Sequence, residues 1–371
     1  MFKEVPNDGL GRQSQCQGQK NESVMKQAYS FIKNNLKVGT DMTKTTIPTS
    51  FVMPESFLVS IQQNTAVYSH LLTIADSIQD PEKRFLQVLK FHLIWPRMYF
   101  PRNPLNPTLG EVYHNQVHHM DESTNKVIPG DVTRFVSEQV SHHPPISAFH
   151  FENAKHDIQY DSSQQITPVF TGKNIRAQMD VRTSIKLGRH NNTYINDKFP
   201  DGYLRLLRWK FEFSGKYTFM CPETGHRALI HFKDKPFLGG KWHELHIYVS
   251  RGKDTLYEIT GSHVDTLHIT NLKDKKSSVF INYNTMRREP IVEPSLDSME
   301  ANNSIRVWKG VYDAFADQDV RRAGLEKHRV EEAERKKLQQ PDLVYDPVHF
   351  KLVDHAGEAN GGQQPCIKYL K

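Results

Sequence analysis

Two histidines stand side by side in the stretch "EQVSHHPP", residues 138–145. Glu138 to Ser141 has the look of a strand end, and the two prolines behind His142 and His143 fix an extended, stiff exit. Neither proline can donate to a strand ladder, so regular pairing is expected to stop here. Successive side chains of a regular strand point to opposite faces; a strand that ends in two rings can instead aim both at one point. Imidazole offers N–H donors and becomes cationic near pH 6–7. The pair therefore suits a phosphate group, or equally two surface imidazoles in a strand-to-loop turn. A second histidine group, "HNQVHH" at 114–119, supplies His114, His118 and His119. Counted with His142 and His143 it has a metal-like look, but neither HExxH nor CxxC accompanies it. Exposed histidines with no metal are the expectation. On the last charged helix, Lys327, Glu331 and Arg335 are spaced i, i+4, i+8 and fall in a strip about 80° wide. They form either a solvated ladder of ion pairs or two cations held in register by the glutamate between them and aimed at an anion. Finally, "RNPLNPTLGE" at 102–111 is a stiff connection in which Asn103 and Asn106 can offer amide donors beside Arg102.

These residues need elements to hold them. Residues 1–27 are polar and Gly/Gln-rich and read as a disordered tail. "AYSFIKNNL" (28–36) has the spacing of a short amphipathic helix. Gly39, Pro48 and Pro54 then keep 39–54 extended. From Glu55 to Trp95 the pattern is helical. Its clearest start has Asp80 as N-cap, Pro81 at the first helical position and Glu82 in the first turn, with Phe85, Val88, Leu89 and Leu93 facing inward and Pro96 as the stop. Between about 110 and 290, runs such as "DVTRFVSEQV", "RALIHF" and "HELHIYV" alternate apolar and polar residues between glycine breakers. Many short strands at this spacing predict a large antiparallel sheet. A sheet of that size curls or closes around a ligand or an internal element. Residues 291–350 return to helix, with the densely charged 319–340 ending at Pro341, and 351–371 read as an irregular tail.

Composition narrows the class. Hydrophobic residues make up 37% of the 371, with 20 Phe, 14 Tyr and 4 Trp, enough for a substantial core. The net charge of +6 suits an anionic surface such as phospholipid. Nucleic acid is not an expected partner, because no basic stripe is interleaved with stacking aromatics. Cys16, Cys221 and Cys366 are too few and too scattered for a disulfide framework, which favours a reducing compartment. The first residues lack the apolar stretch of a secretion signal, and apolar runs such as "FHLIW" are far short of a membrane span. A cytosolic protein is expected.

Taken together, these stretches resemble the lipid-binding domain of the oxysterol-binding-protein-related family. "EQVSHHPP" matches that family's fingerprint in full, "NPLNPTLGE" its Pro-x-Asn-Pro-x-x-Gly-Glu element, and "EKHRVEEAER" its C-terminal helix, over roughly residues 28–350. The resemblance implies an α+β, mainly β fold. An incomplete antiparallel β-barrel (110–290) would surround a hydrophobic lipid tunnel, with a lid at 28–53, a helical region at 54–109 and another at 291–350. It implies a monomer that is not an enzyme and uses no cofactor. Such a protein extracts phosphatidylinositol 4-phosphate and exchanges it for sterol or phosphatidylserine while peripheral at organelle membranes or contact sites. A lipid sensor without net transport is the alternative; a histidine- or metal-dependent hydrolase lacks a nucleophile–base motif. By the same resemblance His142 and His143 hold the inositol phosphate, Lys327, Glu331 and Arg335 surround the headgroup, and Asn106 stands at the upstream element. Two positions depart from the family. Asn103 replaces a usual lysine, with Arg102 a candidate to compensate, and Glu334 replaces a common glutamine. Pleckstrin-homology and ankyrin patterns are not recognisable in these residues, so targeting is expected from the domain itself or from adaptors.

Overall fold

The computed structural model describes residues 2–4, 30–31, 34, 36–42, 49, 52–97, 103–196, 198–206, 208, 210–235, 239–340, 345–353 and 367–370. A 16-stranded sheet dominates it. Its spine is a run of antiparallel neighbours from Val112–Met120 through Val127–His142, Pro145–Asn153, Ile158–Phe170 and Asn174–Leu187 to Asn192–Asn196. The run resumes at Gly215–Cys221 and continues to Ser277–Asn282. Ile291–Pro294 returns to pair with Val112–Met120, and Phe2–Glu4 pairs with it in turn. The two outermost strands, Phe2–Glu4 and Ser277–Asn282, do not pair with each other, so the sheet is curled but not closed. The expected mainly-β, incomplete-barrel fold is therefore present. The expected tail begins as a strand at Phe2–Glu4; residues 5–27 lie outside the described residues.

Three helices, α1 (Phe57–Ala66), α2 (His70–Ser77) and α3 (Pro81–His92), pack against the sheet in the main hydrophobic core. Helix α3 starts as its sequence dictates. The Asp80 carboxylate accepts from the amides of Glu82 and Lys83, and Pro81 occupies the first turn. Phe85, Val88, Leu89 and Leu93 are all fully buried. The helix ends at His92, one residue before the Leu93 cap, and Pro96 sits in a following turn, Trp95–Arg97. Aromatic rings seat α3 on the sheet. Phe85 stacks on His226, Phe91 meets Phe151 and Tyr160 edge-on, and His92 stacks on Phe219 with centroids 4.1 Å apart. Burial pushes His92 down to about 3, so its ring is neutral, 2.9 Å from the Tyr217 hydroxyl. A small cavity remains between the helices and the sheet, bounded by Thr65, Phe91, Ile94, Trp95, Asn196 and Phe199.

Three further helices follow: α4 (Ser304–Val307), α5 (Lys309–Ala316) and α6 (Val320–Leu338). The expected irregular tail contains a pair of short strands, Phe350–Leu352 with Ile367–Tyr369, whose Phe350 and Ile367 pack on Val136, Val140 and Ala148. Of the stretch expected as a lid, residues 36–42 lie on the hairpin that joins Ile158–Phe170 to Asn174–Leu187. Gly39 donates to the Phe170 carbonyl at 2.8 Å, Phe170 donates to Thr40 at 3.1 Å, and Leu36, Met42 and Phe170 cluster. Cys221 is free and buried, while Cys16 and Cys366 lie outside the described residues. Among the described residues no helix is long and apolar enough to cross a membrane.

At the far end of the sheet a polar clasp holds α2. His156 Nδ1 lies 2.8 Å from Asp76 and its Nε2 2.9 Å from Asp131, and Arg189 donates to the same Asp76 oxygen at 2.9 Å. The hydrogen bond to Asp131, joined by that to Asp76, raises the His156 pKa. A raised histidine pKa stabilises the fold fully below the unfolded value of about 6.5 and loses that contribution as pH rises through the folded value. His156→Ala is expected to cost about 2 kcal/mol near pH 6. The gap to wild type should narrow steadily as chemical denaturation is repeated toward about pH 9.

Candidate functional site

The fingerprint stretch folds as a tight hairpin. His142 pairs with Pro145, leaving His143 and Pro144 as the two turn residues, joined by a cis peptide bond. This corrects the expectation that pairing ends at the prolines. Pro145 is the first residue of the next strand, where a missing N–H is tolerated. The Ser141 hydroxyl donates to the Pro144 carbonyl at 2.7 Å across the turn. The rings of His142 and His143 stand edge-to-face with centroids 4.9 Å apart. They differ in setting, however: the His142 side chain is 15% exposed and His143 is in solvent. Desolvation lowers the His142 pKa, Glu334 and the backbone of Pro107 oppose this, and His143 and Lys337 add to it. His142 Nδ1 is buried with no hydrogen-bond partner among the described residues, 4.0 Å from Glu334 Oε1. It is a donor or acceptor aimed into the gap between the turn and α6.

The rest of the fingerprint is structural. Glu138 is fully buried and accepts from the Val348 and His349 amides at 2.8 Å each, and from the Tyr345 hydroxyl. Gln139 accepts from the Ser147 hydroxyl at 2.5 Å and donates to the Ser141 carbonyl at 2.9 Å. Its backbone exchanges hydrogen bonds with Gly110 and Glu111. Gly110 has φ +81°, and a Cβ there would lie 2.9 Å from the Tyr345 ring, so glycine is required on both counts. Glu111 beside it is completely buried. One carboxylate oxygen accepts from the Ser56 and Ser304 hydroxyls at 2.5 and 2.7 Å; the other accepts from the Thr108 amide and the Trp308 indole, both at 2.9 Å. Burial raises its pKa, and these hydrogen bonds oppose the rise.

Helix α6 packs over this loop with a different face from the one its i, i+4, i+8 spacing suggested. Its buried residues are Ala323, Lys327 and Glu334. Positions seven apart drift only about 20° around a helix, whereas positions eight apart drift about 80°. Lys327 therefore lies inside with Glu334, while Arg335 is exposed. Lys327 donates to Glu331 Oε1 at 2.5 Å, as expected. Arg335 pairs with Glu332 instead, so Glu331 does not bridge the two cations. Glu334 accepts from the Leu109 amide and Lys337 donates to the Leu109 carbonyl, both at 2.7 Å. The helix thus grips one residue, Leu109, on both its flanking peptides, in the loop that runs beneath His142. Asn103 is exposed at the start of the strand Asn103–Leu105, Asn106 is exposed just after it, and Arg102 lies outside the described residues. Of the histidines at 114–119, His119 is buried against Glu289 at 2.5 Å and not exposed as expected; His118 lies 2.9 Å from Gln116. Sequence reasoning overlooked Lys337, Tyr345 and the partners of Glu111. Only the Gly-Glu pair at 110–111 carried a signal for them.

The fold and this hairpin define a class, and comparison with known proteins agrees. A family model described as oxysterol-binding protein matches residues 27–314. The chain is 61% identical over 335 residues to oxysterol-binding protein 6 of Dictyostelium discoideum, covering 88% of this chain and 76% of that one. It is 28% identical to oxysterol-binding protein 1 of the same organism, covering 86% and 82%. Among solved structures, the Osh1 ORD domain in complex with cholesterol superposes with a TM-score of 0.71 at 22% identity, covering 92% of this chain and 85% of that one. The Osh3 ORD in complex with PI(4)P from Saccharomyces cerevisiae gives 0.67 at 20%, covering 92% and 89%. The chain belongs to the oxysterol-binding protein family.

Replacing Glu111 by Ala leaves two buried hydroxyls, an amide and an indole N–H without their acceptor. A loss of about 3–5 kcal/mol is expected in urea unfolding. The less disruptive Glu111→Gln should recover part of it, because one oxygen survives.

Proposed function

We propose that this protein binds and transfers lipid, taking phosphatidylinositol 4-phosphate from one membrane and exchanging it for sterol or phosphatidylserine at another. It acts on membranes, anionic ones among them, from the cytosolic side of organelles, as a monomer and without breaking a bond. The observation that carries the proposal is the buried Nδ1 of His142, which has no hydrogen-bond partner among the described residues and faces α6 at the lip of the sheet. A phosphate arriving there finds two imidazoles edge-to-face, with Lys327 buried in the neighbouring helix. Family membership supports it, as do the sterol and the PI(4)P named in the complexes of the two ORD domains above. The topology supports a lid at the same place. Ile146 pairs with Gln165 and Phe170 with Ile175, so the His143–Pro144 turn and the hairpin under residues 36–42 lie at one end of the sheet.

Extraction from liposomes containing phosphatidylinositol 4-phosphate tests the headgroup role. The His142→Ala/His143→Ala variant is expected to lose most extraction of this lipid while keeping the wild-type melting temperature. Wild-type extraction by the double variant would remove the histidines from the site. Loading without delivery to acceptor liposomes would make the protein a sensor.

The lowered His142 pKa adds a pH signature. A bound phosphate favours imidazolium, so binding raises that pKa and takes up a proton. Affinity should then be constant below the free-state pKa, fall as pH rises between the free and bound values, and level off above them. Binding measured from about pH 5 to about pH 8 should weaken with pH in wild type and be flatter in His142→Gln.

A further inference from the structure

The histidines of 114–119 do not gather with one another, yet one of them gathers with residues far away in the chain. His114 belongs to the strand Val112–Met120, Glu300 to the turn after Leu296–Ser298, and His349 immediately precedes the strand Phe350–Leu352. One candidate ligand atom from each lies within 4.8 Å of the others. The two imidazoles stand edge-to-face, centroids 4.9 Å apart at 80°. Nε2 of His349 is buried and has no hydrogen-bond partner among the described residues. Both histidines are half-buried and Glu300 is exposed, so the group opens to water on its carboxylate side.

The backbone holds all three positions independently of any ion, His114 in the ladder opposite Val136. The His349 amide donates to Glu138 at 2.8 Å and its carbonyl accepts from Leu370 at 2.8 Å. The Glu300 carbonyl accepts from the Asn303 amide at 3.1 Å. We propose that His114, His349 and Glu300 form a site for a divalent transition-metal ion of the zinc class, with water as the fourth ligand. Two imidazoles and one carboxylate around an open position are a donor set that zinc accepts, with bonds of about 2.0–2.2 Å. Imidazole nitrogen selects such ions over magnesium or calcium, which prefer all-oxygen sites. Those bond lengths bring tetrahedral ligand atoms to about 3.3 Å from one another, so the three must draw together. Glu300 is exposed, so its side chain is free to rotate toward the two imidazoles, and small ring rotations at His114 and His349 complete the approach. The ion would join the strand next to the fingerprint to the segment that leads into the strand Phe350–Leu352, acting as a clasp and not as a catalyst.

The test is calorimetric titration of the untagged full chain with zinc chloride, backed by thermal melting and by the visible spectrum of the cobalt-substituted protein. One equivalent is expected to bind, to raise the melting temperature reversibly with chelator, and to give cobalt bands of tetrahedral form. His114→Ala and His349→Ala should each lose the stoichiometric site. His118→Ala, whose ring lies by Gln116, should keep it. Glu300→Gln, at an exposed position where folding is not at stake, should bind zinc more weakly than wild type. Absence of saturable binding overturns the site. So does unchanged affinity in Glu300→Gln, or in a His114→Ala/His349→Ala double variant, which would place the ion elsewhere among the 19 histidines.

Discussion

The structure depends on one buried carboxylate. Glu111 has no contact with water, and an isolated charge in that position would be very costly. It is accommodated because four donors from three segments converge on it: Ser56 before α1, Thr108 in its own loop, and Ser304 and Trp308 one turn apart where α4 passes into α5. None of these segments can shift without leaving a buried donor or acceptor unmatched. The carboxylate therefore fixes where the interior helices enter the sheet, where the C-terminal helices leave it, and where the loop 106–111 runs. That loop passes beneath His142, and α6 holds it through Leu109. The position of the candidate site follows from a residue that does not belong to it.

A second consequence concerns charge. Each cation on the α6 strip already has a carboxylate: Lys327 has Glu331, and Arg335 has Glu332. Glu334 lies 4.0 Å from His142. A phosphate arriving here would exchange partners with existing anions and not fill a bare cationic pocket. Such a site discriminates by arrangement, since a smaller or wrongly shaped anion gains little over the carboxylates it displaces.

Much of the fold was legible in the sequence because its strands alternate and its helix starts carry capping residues. Asp80, Pro81 and the stripe from Phe85 to Leu93 specify α3 locally, with no need of tertiary context. The antiparallel sheet was legible for the same reason, and the family fingerprint extended the reading to the site. What escaped was non-local. That Arg335 faces solvent and Glu334 faces inward depends on which side of α6 meets the 106–111 loop, and helical spacing alone leaves that open. The hairpin at His143–Pro144 escaped because two prolines ordinarily end a strand, and here the second opens the next one. His119 looked like a surface histidine until Glu289, 170 residues later, was placed beside it.

Glu138 also sets a timetable. Its carboxylate lies in the strand that ends at His142, yet its partners Tyr345 and His349 follow 207 and 211 residues later. During synthesis at about 5–20 residues per second, that strand emerges roughly 10–40 s before the segment that seals it. Throughout this interval the carboxylate must remain hydrated, and the edge of the barrel around it cannot become dry. The nascent chain can assemble hairpins as they appear, but the lip of the sheet matures last, on the ribosome's schedule and not on that of the hydrophobic core.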